Sequence, residues 1–99
     1  MAKSIVQKHN GRCLLCGRNG QADPLDCHHI YGGANRNNSE KYGLKVYLCH
    51  HQCHIFGERS VHQCAEVNQN LKALGQQVAM DYYGWTVDEF RRIFGKNYL

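Results

Sequence analysis

The cysteine spacing is the strongest constraint on how this chain can fold. "CLLC" places Cys13 and Cys16 two residues apart, and "LCHHQCH" supplies Cys49 and Cys53 with three residues between them. A two-residue spacer lets both thiolates converge on one ion across a tight turn. Four thiolates are the set that suits a closed, tetrahedral structural zinc. The spacing therefore predicts that Cys13, Cys16, Cys49 and Cys53 hold Zn2+ together. His50 or His51 standing in for one cysteine remains the alternative, because the second spacer is longer. In a chain of 99 residues the apolar core is modest, and a metal that closes a long loop can decide whether the domain folds. Cys27 and Cys64 lack partners at ligand spacing and are expected to be small packing residues.

The compartment bears on that reading. No stretch near the amino terminus is apolar enough for a signal peptide, and no run approaches membrane-spanning length. The expectation is a cytoplasmic protein, in which thiols stay reduced and clustered cysteines mean metal or catalysis more often than disulfides. The net charge of +4 suits a polyanionic partner without demanding one. Length and the absence of repeats or linkers argue for one domain over residues 1–99.

Proline and glycine mark out the elements. "PLDCHHIYGG" reads as a strand beginning after Pro24 and ended by Gly32 and Gly33, and "LKVYLC", Leu44 to Cys49, reads as a second strand. The polar stretch Ala34 to Gly43 between them is expected to be a solvated loop, which makes an antiparallel hairpin the natural pairing. Beyond it, Cys64, Val67, Leu71, Leu74, Val78 and Tyr82 recur at helical steps and predict one core-facing stripe. Ser60 with Gln63 has capping-box spacing, although the helix start can lie a few residues later. Gly75 lies within this helix at a cost of about 1 kcal/mol relative to alanine, and Gly84 ends it. Thr86 with Glu89 starts a last helix, whose apolar face is Val87, Phe90, Ile93 and Phe94 and whose C-cap is Gly95.

Once the cysteines hold the structural ion, the histidines remain. His28 and His29 are adjacent, and neighbours on a strand point to opposite faces. One ion is thus poorly placed to use both, which suggests a division into one ligand and one base. Neutral imidazole serves either role near pH 7. His54 and His62 lie in or near the segment that the zinc would draw towards the pair. Arg36, Lys41 and Lys45 flank the same region and are candidate phosphate contacts, with Lys3, Lys8, Arg12 and Arg18 nearer the amino end.

Taken together, "CLLCG", "LDCHHI" and "VYLCHHQCH" resemble the zinc-bearing branch of the HNH endonucleases, over Cys13 to His54. The resemblance implies an α+β fold, a small ββα-metal core with the four-cysteine zinc over residues 1–63. Two C-terminal helices over residues 64–99 would pack on it. It implies hydrolysis of DNA phosphodiester bonds with a second, catalytic divalent cation such as Mg2+ or Mn2+. Carried over by position, His28 resembles the first ligand of that cation and His54 the second. His62 resembles a further ligand or a phosphate contact, and His29 the general base. "EKYGLKVYLC" and "FGKNYL" are similar to small phage-type members, among them the Ref group, which cut DNA held by RecA filaments. DNA and a RecA filament are the partners this implies, in a bacterial host cell. The family's middle asparagine is absent at Tyr42-Gly43-Leu44, so Asn35, Asn37, Asn38 or a backbone carbonyl would have to orient His29. Two other classes compete with the enzyme: a non-catalytic zinc-stabilised nucleic-acid-binding module, and a protein-interaction domain.

Overall fold

The computed structural model describes residues 3–8 and 10–99. Strand β1 spans Leu25–His29 and β2 spans Lys45–Cys49, paired antiparallel with Leu25 opposite Cys49 and His29 opposite Lys45. Pro24 precedes β1 and cannot donate to a ladder, so pairing begins after it. Helices α1 (Arg36–Tyr42), α2 (Ala65–Tyr83) and α3 (Val87–Phe94) complete a small mixed α/β domain. Among the described residues no helix is long and apolar enough to cross a membrane.

The polar segment expected to be a solvated loop is instead a 3-10 turn, Gly33–Asn35, running into α1. Its polar side chains are anchors. Ser39 is fully buried; its Oγ accepts from the Tyr31 amide at 3.0 Å and donates to the Tyr31 carbonyl at 2.9 Å. Asn35 and Asn38 donate to the Phe94 and Ile93 carbonyls at 2.8 and 3.2 Å. These carbonyls lie at the end of α3, where a helix lacks internal partners. Gly43 closes α1 with φ at 74°, a left-handed C-cap that glycine adopts without penalty.

The predicted stripe on α2 meets the core only in part, through Leu71 and Val67. Leu71, Gly75, Gln76 and Ala79 are buried, whereas Leu74 is 44% and Tyr82 66% exposed. Tyr31 is the reason. This fully buried ring contacts Phe90, Phe94 and Tyr98, and its hydroxyl donates to the Lys72 carbonyl on α2. Small residues must face such a ring. A methyl group at Gly75 would stand 2.9 Å from the Tyr31 hydroxyl and 3.2 Å from Ile30. Gln76 is tolerated inside because the tail after α3 satisfies it: its amide donates to Asn97 Oδ1 at 2.8 Å and accepts from the Tyr98 amide at 2.7 Å.

The helix starts divide similarly. Thr86 Oγ1 accepts from the Glu89 amide at 3.2 Å, as its spacing predicts. Ser60 Oγ accepts from the Gln63 amide, also at 3.2 Å. That contact caps a separate turn, and α2 begins only at Ala65. The outer edge of β2 is covered by the amino-terminal segment, where Gln7 Oε1 accepts from the Tyr47 amide at 2.8 Å and the Ile5 amide donates to the Gly43 carbonyl at 2.9 Å.

Gly75→Ala would stabilise an open helix by about 1 kcal/mol. Here the added methyl meets a buried, hydrogen-bonded ring, so the thermal midpoint is expected to fall by roughly 4–8 °C. Differential scanning calorimetry reads this directly, and a raised midpoint would show that Tyr31 has room to move.

Candidate metal centre

The four thiols predicted to share an ion do converge. The sulfurs of Cys13, Cys16, Cys49 and Cys53 all lie within 4.8 Å of one another, and Cys16 and Cys49 are 3.7 Å apart. A tetrahedron built on Zn–S bonds of about 2.3 Å has edges of about 3.8 Å, so the donor set fits zinc. Cys13 and Cys16 sit in a turn closed by the Gly17 amide donating to the Cys13 carbonyl at 2.9 Å, with Gly17 at φ 78°. Cys49 ends β2, and Cys53 lies in a single π-helical turn, His50–Ile55. A turn wider than an α-helical one accommodates the extra residue between the last two cysteines, with its bonds running from residue i to i+5. His50 and His51 are not part of the group.

The thiols do not share one affinity for protons. Burial opposes ionisation of Cys13, but the backbone amides of Cys16, Cys49 and Leu15 outweigh it and bring the group to about 7. Burial is also the leading cause at Cys49, pushed up to about 11, and at Cys53, pushed higher still. Four thiolates in one place therefore need a cation, and binding one must release protons.

A second group forms on the inner face of β1. Alternation along the strand puts Asp26 and His28 on one side and Cys27 and His29 on the other. His54 comes from the π-helical turn and His62 from the turn before α2. Two backbone bonds align these turns: Val61 donates to the Cys53 carbonyl at 2.9 Å, and His62 to the His54 carbonyl at 3.2 Å. An eight-residue separation thereby becomes lateral contact, with His54 Nε2 and His62 Nε2 3.2 Å apart. The ring centroids of His28 lie 5.1 Å from His54 and 5.6 Å from His62. Burial, then the charges of His54 and His62, hold His28 down to about 4. It is neutral near pH 7, with a lone pair to offer.

Asp26 belongs to this site and was not among the predicted residues. Its Oδ2 accepts from His54 Nδ1 at 2.8 Å and from His50 Nδ1 at 2.6 Å. Burial raises the Asp26 carboxyl, but the bonds from His54 and His50 prevail and keep it below its ordinary range. The signal was present: Asp26 is two residues from His28 on a strand, hence on the same face. Two trios therefore share His54, namely His28, His54, His62 and Asp26, His50, His54. A neutral imidazole has one lone pair, so His54 serves only one of them. Asp26 is already satisfied by two N–H donors. His28 Nε2 is buried and has no hydrogen-bond partner among the described residues. An unpaired buried nitrogen is costly, and a cation at the three-histidine trio removes that cost. Asp26 then fixes the proton of His54 on Nδ1, as carboxylates commonly do behind metal-bound histidines.

His29 is not in either trio. Its Nε2 lies 3.3 Å from Glu40 Oε1, on the opposite face of β1. Lys45, predicted as a phosphate contact, is only 4% exposed, and its ammonium bonds the other oxygen of Glu40 at 2.5 Å. It presents no free charge to a ligand. Arg36 and Lys41 are exposed on α1. Cys27, expected to be packing, is exposed; Cys64 is half-buried at the N-cap of α2. Asn35 and Asn38 are committed to α3 and do not reach His29.

No protein-family model matches the chain, and no curated protein or solved structure matches it.

Two measurements test the centre. Cys53→Ser is expected to lose the roughly one tightly held zinc per chain and to lower the thermal midpoint; elemental analysis and calorimetry read both, and full zinc retention would refute the thiolate site. Asp26→Asn is expected to weaken divalent-cation binding by roughly 10–100-fold, as loss of a ligand-orienting carboxylate usually does, with His28→Ala abolishing it. Isothermal titration that finds normal binding in His28→Ala would place the ion with Asp26 and His50 instead.

Proposed function

We propose that this chain is a metal-dependent DNA endonuclease of the HNH type, hydrolysing phosphodiester bonds. The observation that carries the reading is the three-histidine cluster, with its unpaired His28 Nε2, held beside a four-thiolate cluster. A closed thiolate set suits structure, whereas three imidazoles leave coordination positions for a substrate. Support comes from the placement of the cluster, with His28 on β1, His54 in the π-helical turn that follows β2 and His62 in the turn before α2.

Three neutral nitrogens suit a divalent cation such as Zn2+ or Ni2+ better than Mg2+ or Mn2+, which favour oxygen ligands. When bound, such a cation neutralises charge on the phosphate and the leaving 3′ oxygen. His28, His54 and His62 are its ligands, and Asp26 orients His54. His29 acts as general base, taking a proton from the attacking water. Arg36 and Lys41 on α1 supply phosphate contacts. A RecA filament is the accessory partner that the Ref resemblance suggests, and a bacterial cytoplasm the setting.

One observation favours a second reading, a non-catalytic zinc-stabilised nucleic-acid-binding module: His29 lies on the face of β1 away from the histidine cluster. Plasmid relaxation separates the two. With Mn2+, Mg2+, Zn2+ or Ni2+ supplied, and with RecA-coated DNA as a parallel substrate, the wild-type chain is expected to convert supercoiled to nicked plasmid. His28→Ala and His54→Ala are each expected to abolish nicking, because each removes a ligand of the cation, while Cys27→Ser leaves it unchanged. DNA retention without nicking under every condition would favour the binding module.

A further inference from the structure

Glu40 is the carboxylate bonded to His29, and it is fixed from two sides. In the sheet, His29 stands directly opposite Lys45. Glu40, in the last turn of α1, lies over that pair and gives one oxygen to each: Oε1 is 3.3 Å from His29 Nε2, and Oε2 is 2.5 Å from Lys45 Nζ. Lys45 is 4% exposed and His29's side chain 13% exposed, so neither partner is free to wander. Gly43 holds the end of α1 at its left-handed cap, and Ser39 pins the adjacent position to the Tyr31 backbone. The carboxylate is thus delivered by a helix anchored at Ser39 and at its Gly43 cap.

An ionised carboxylate only accepts hydrogen bonds. A neutral His29 facing it must carry its proton on Nε2, which leaves the lone pair on Nδ1. We propose that Glu40 is the positioning residue for His29, selecting the imidazole tautomer whose Nδ1 accepts the proton, with Lys45 holding Glu40 in place. The role rests on the nuclease reading; the contact does not. It assigns to an acidic residue on α1 the task for which the sequence offered only asparagines or a backbone carbonyl. Asn35 and Asn38 are spent on the end of α3, and Asn37 is exposed.

The test uses the full chain loaded with zinc and Mn2+, and a zinc-loaded sample without Mn2+ for NMR. Removing Glu40 alone would strand a buried ammonium, so the variant is Glu40→Ala combined with Lys45→Met; Glu40→Gln is the conservative partner, keeping an acceptor oxygen. The double variant is expected to lose about 100-fold in kcat for plasmid nicking, the scale of general-base catalysis, with KM and Mn2+ affinity within about twofold of wild type. Glu40→Gln is expected to recover most of that loss. In a His29→Ala background the same double change should cost nothing further, because the two groups act as a unit. Imidazole 15N–1H spectra of the wild type, read at neutral His29, should place its proton on Nε2. A nicking wild type with its proton on Nδ1, or with kcat unmoved by the double variant, overturns the proposal alone. A wild type that does not nick overturns the nuclease reading and the catalytic role together, whatever the spectra show.

Discussion

Two short segments of cysteine, 33 residues apart at Cys16 and Cys49, are brought to a separation at which one cation can bind all four sulfurs. Almost everything else at the site follows from that convergence. It ties the amino-terminal turn to the end of β2 and holds the π-helical turn where Cys53, and therefore His54, must lie. Without a cation, four clustered thiols, buried at Cys13, Cys49 and Cys53 and exposed at Cys16, would compete over protons. With one, they become a rigid corner of a domain too small to rely on its apolar core alone. The histidine cluster is built on this corner: His54 follows Cys53 directly, and the backbone bonds that place His62 run from the same two positions.

Strand alternation then divides the chemistry. On β1, Asp26 and His28 face the turns, while Cys27 and His29 lie on the opposite face, where Glu40 of α1 meets His29. The inner face gathers imidazoles around an unpaired nitrogen; the outer face gathers a carboxylate and an ammonium around His29. Among the described residues, the one buried side-chain nitrogen left without a hydrogen-bond partner is His28 Nε2, on the inner face. The adjacent histidines therefore differ in environment even though they share a strand.

The helical half shows where apolar patterning misleads. Leu74, Val78 and Tyr82 are at ideal helical steps, yet the face that packs is Leu71, Gly75, Gln76 and Ala79. A bulky ring, Tyr31, occupies the space and selects small residues opposite it. A glutamine can be buried because the tail returns two hydrogen bonds to it. Neither fact has a signature in hydrophobic periodicity, which counts apolar residues and not the shape of what they meet. Likewise the polar run Ala34 to Gly43 was legible as polar but not as a helix, because Ser39, Asn35 and Asn38 spend their polar groups on backbone far away in sequence.

By itself the sequence determined the two strands, their antiparallel sense, the caps at Thr86, Gly84 and Gly95, and the four-thiolate set. Each of these depends on local backbone chemistry or on ligand spacing across one turn. The opposition of His28 and His29 was also readable, since a strand's period of two leaves no choice. Tertiary structure alone decided that Asp26 backs His54, that His62 joins the cluster, that Glu40 holds His29, and that Lys45 is buried. Those outcomes depend on which elements meet and at what angle, and contacts between residues distant in the chain leave no periodic trace in it.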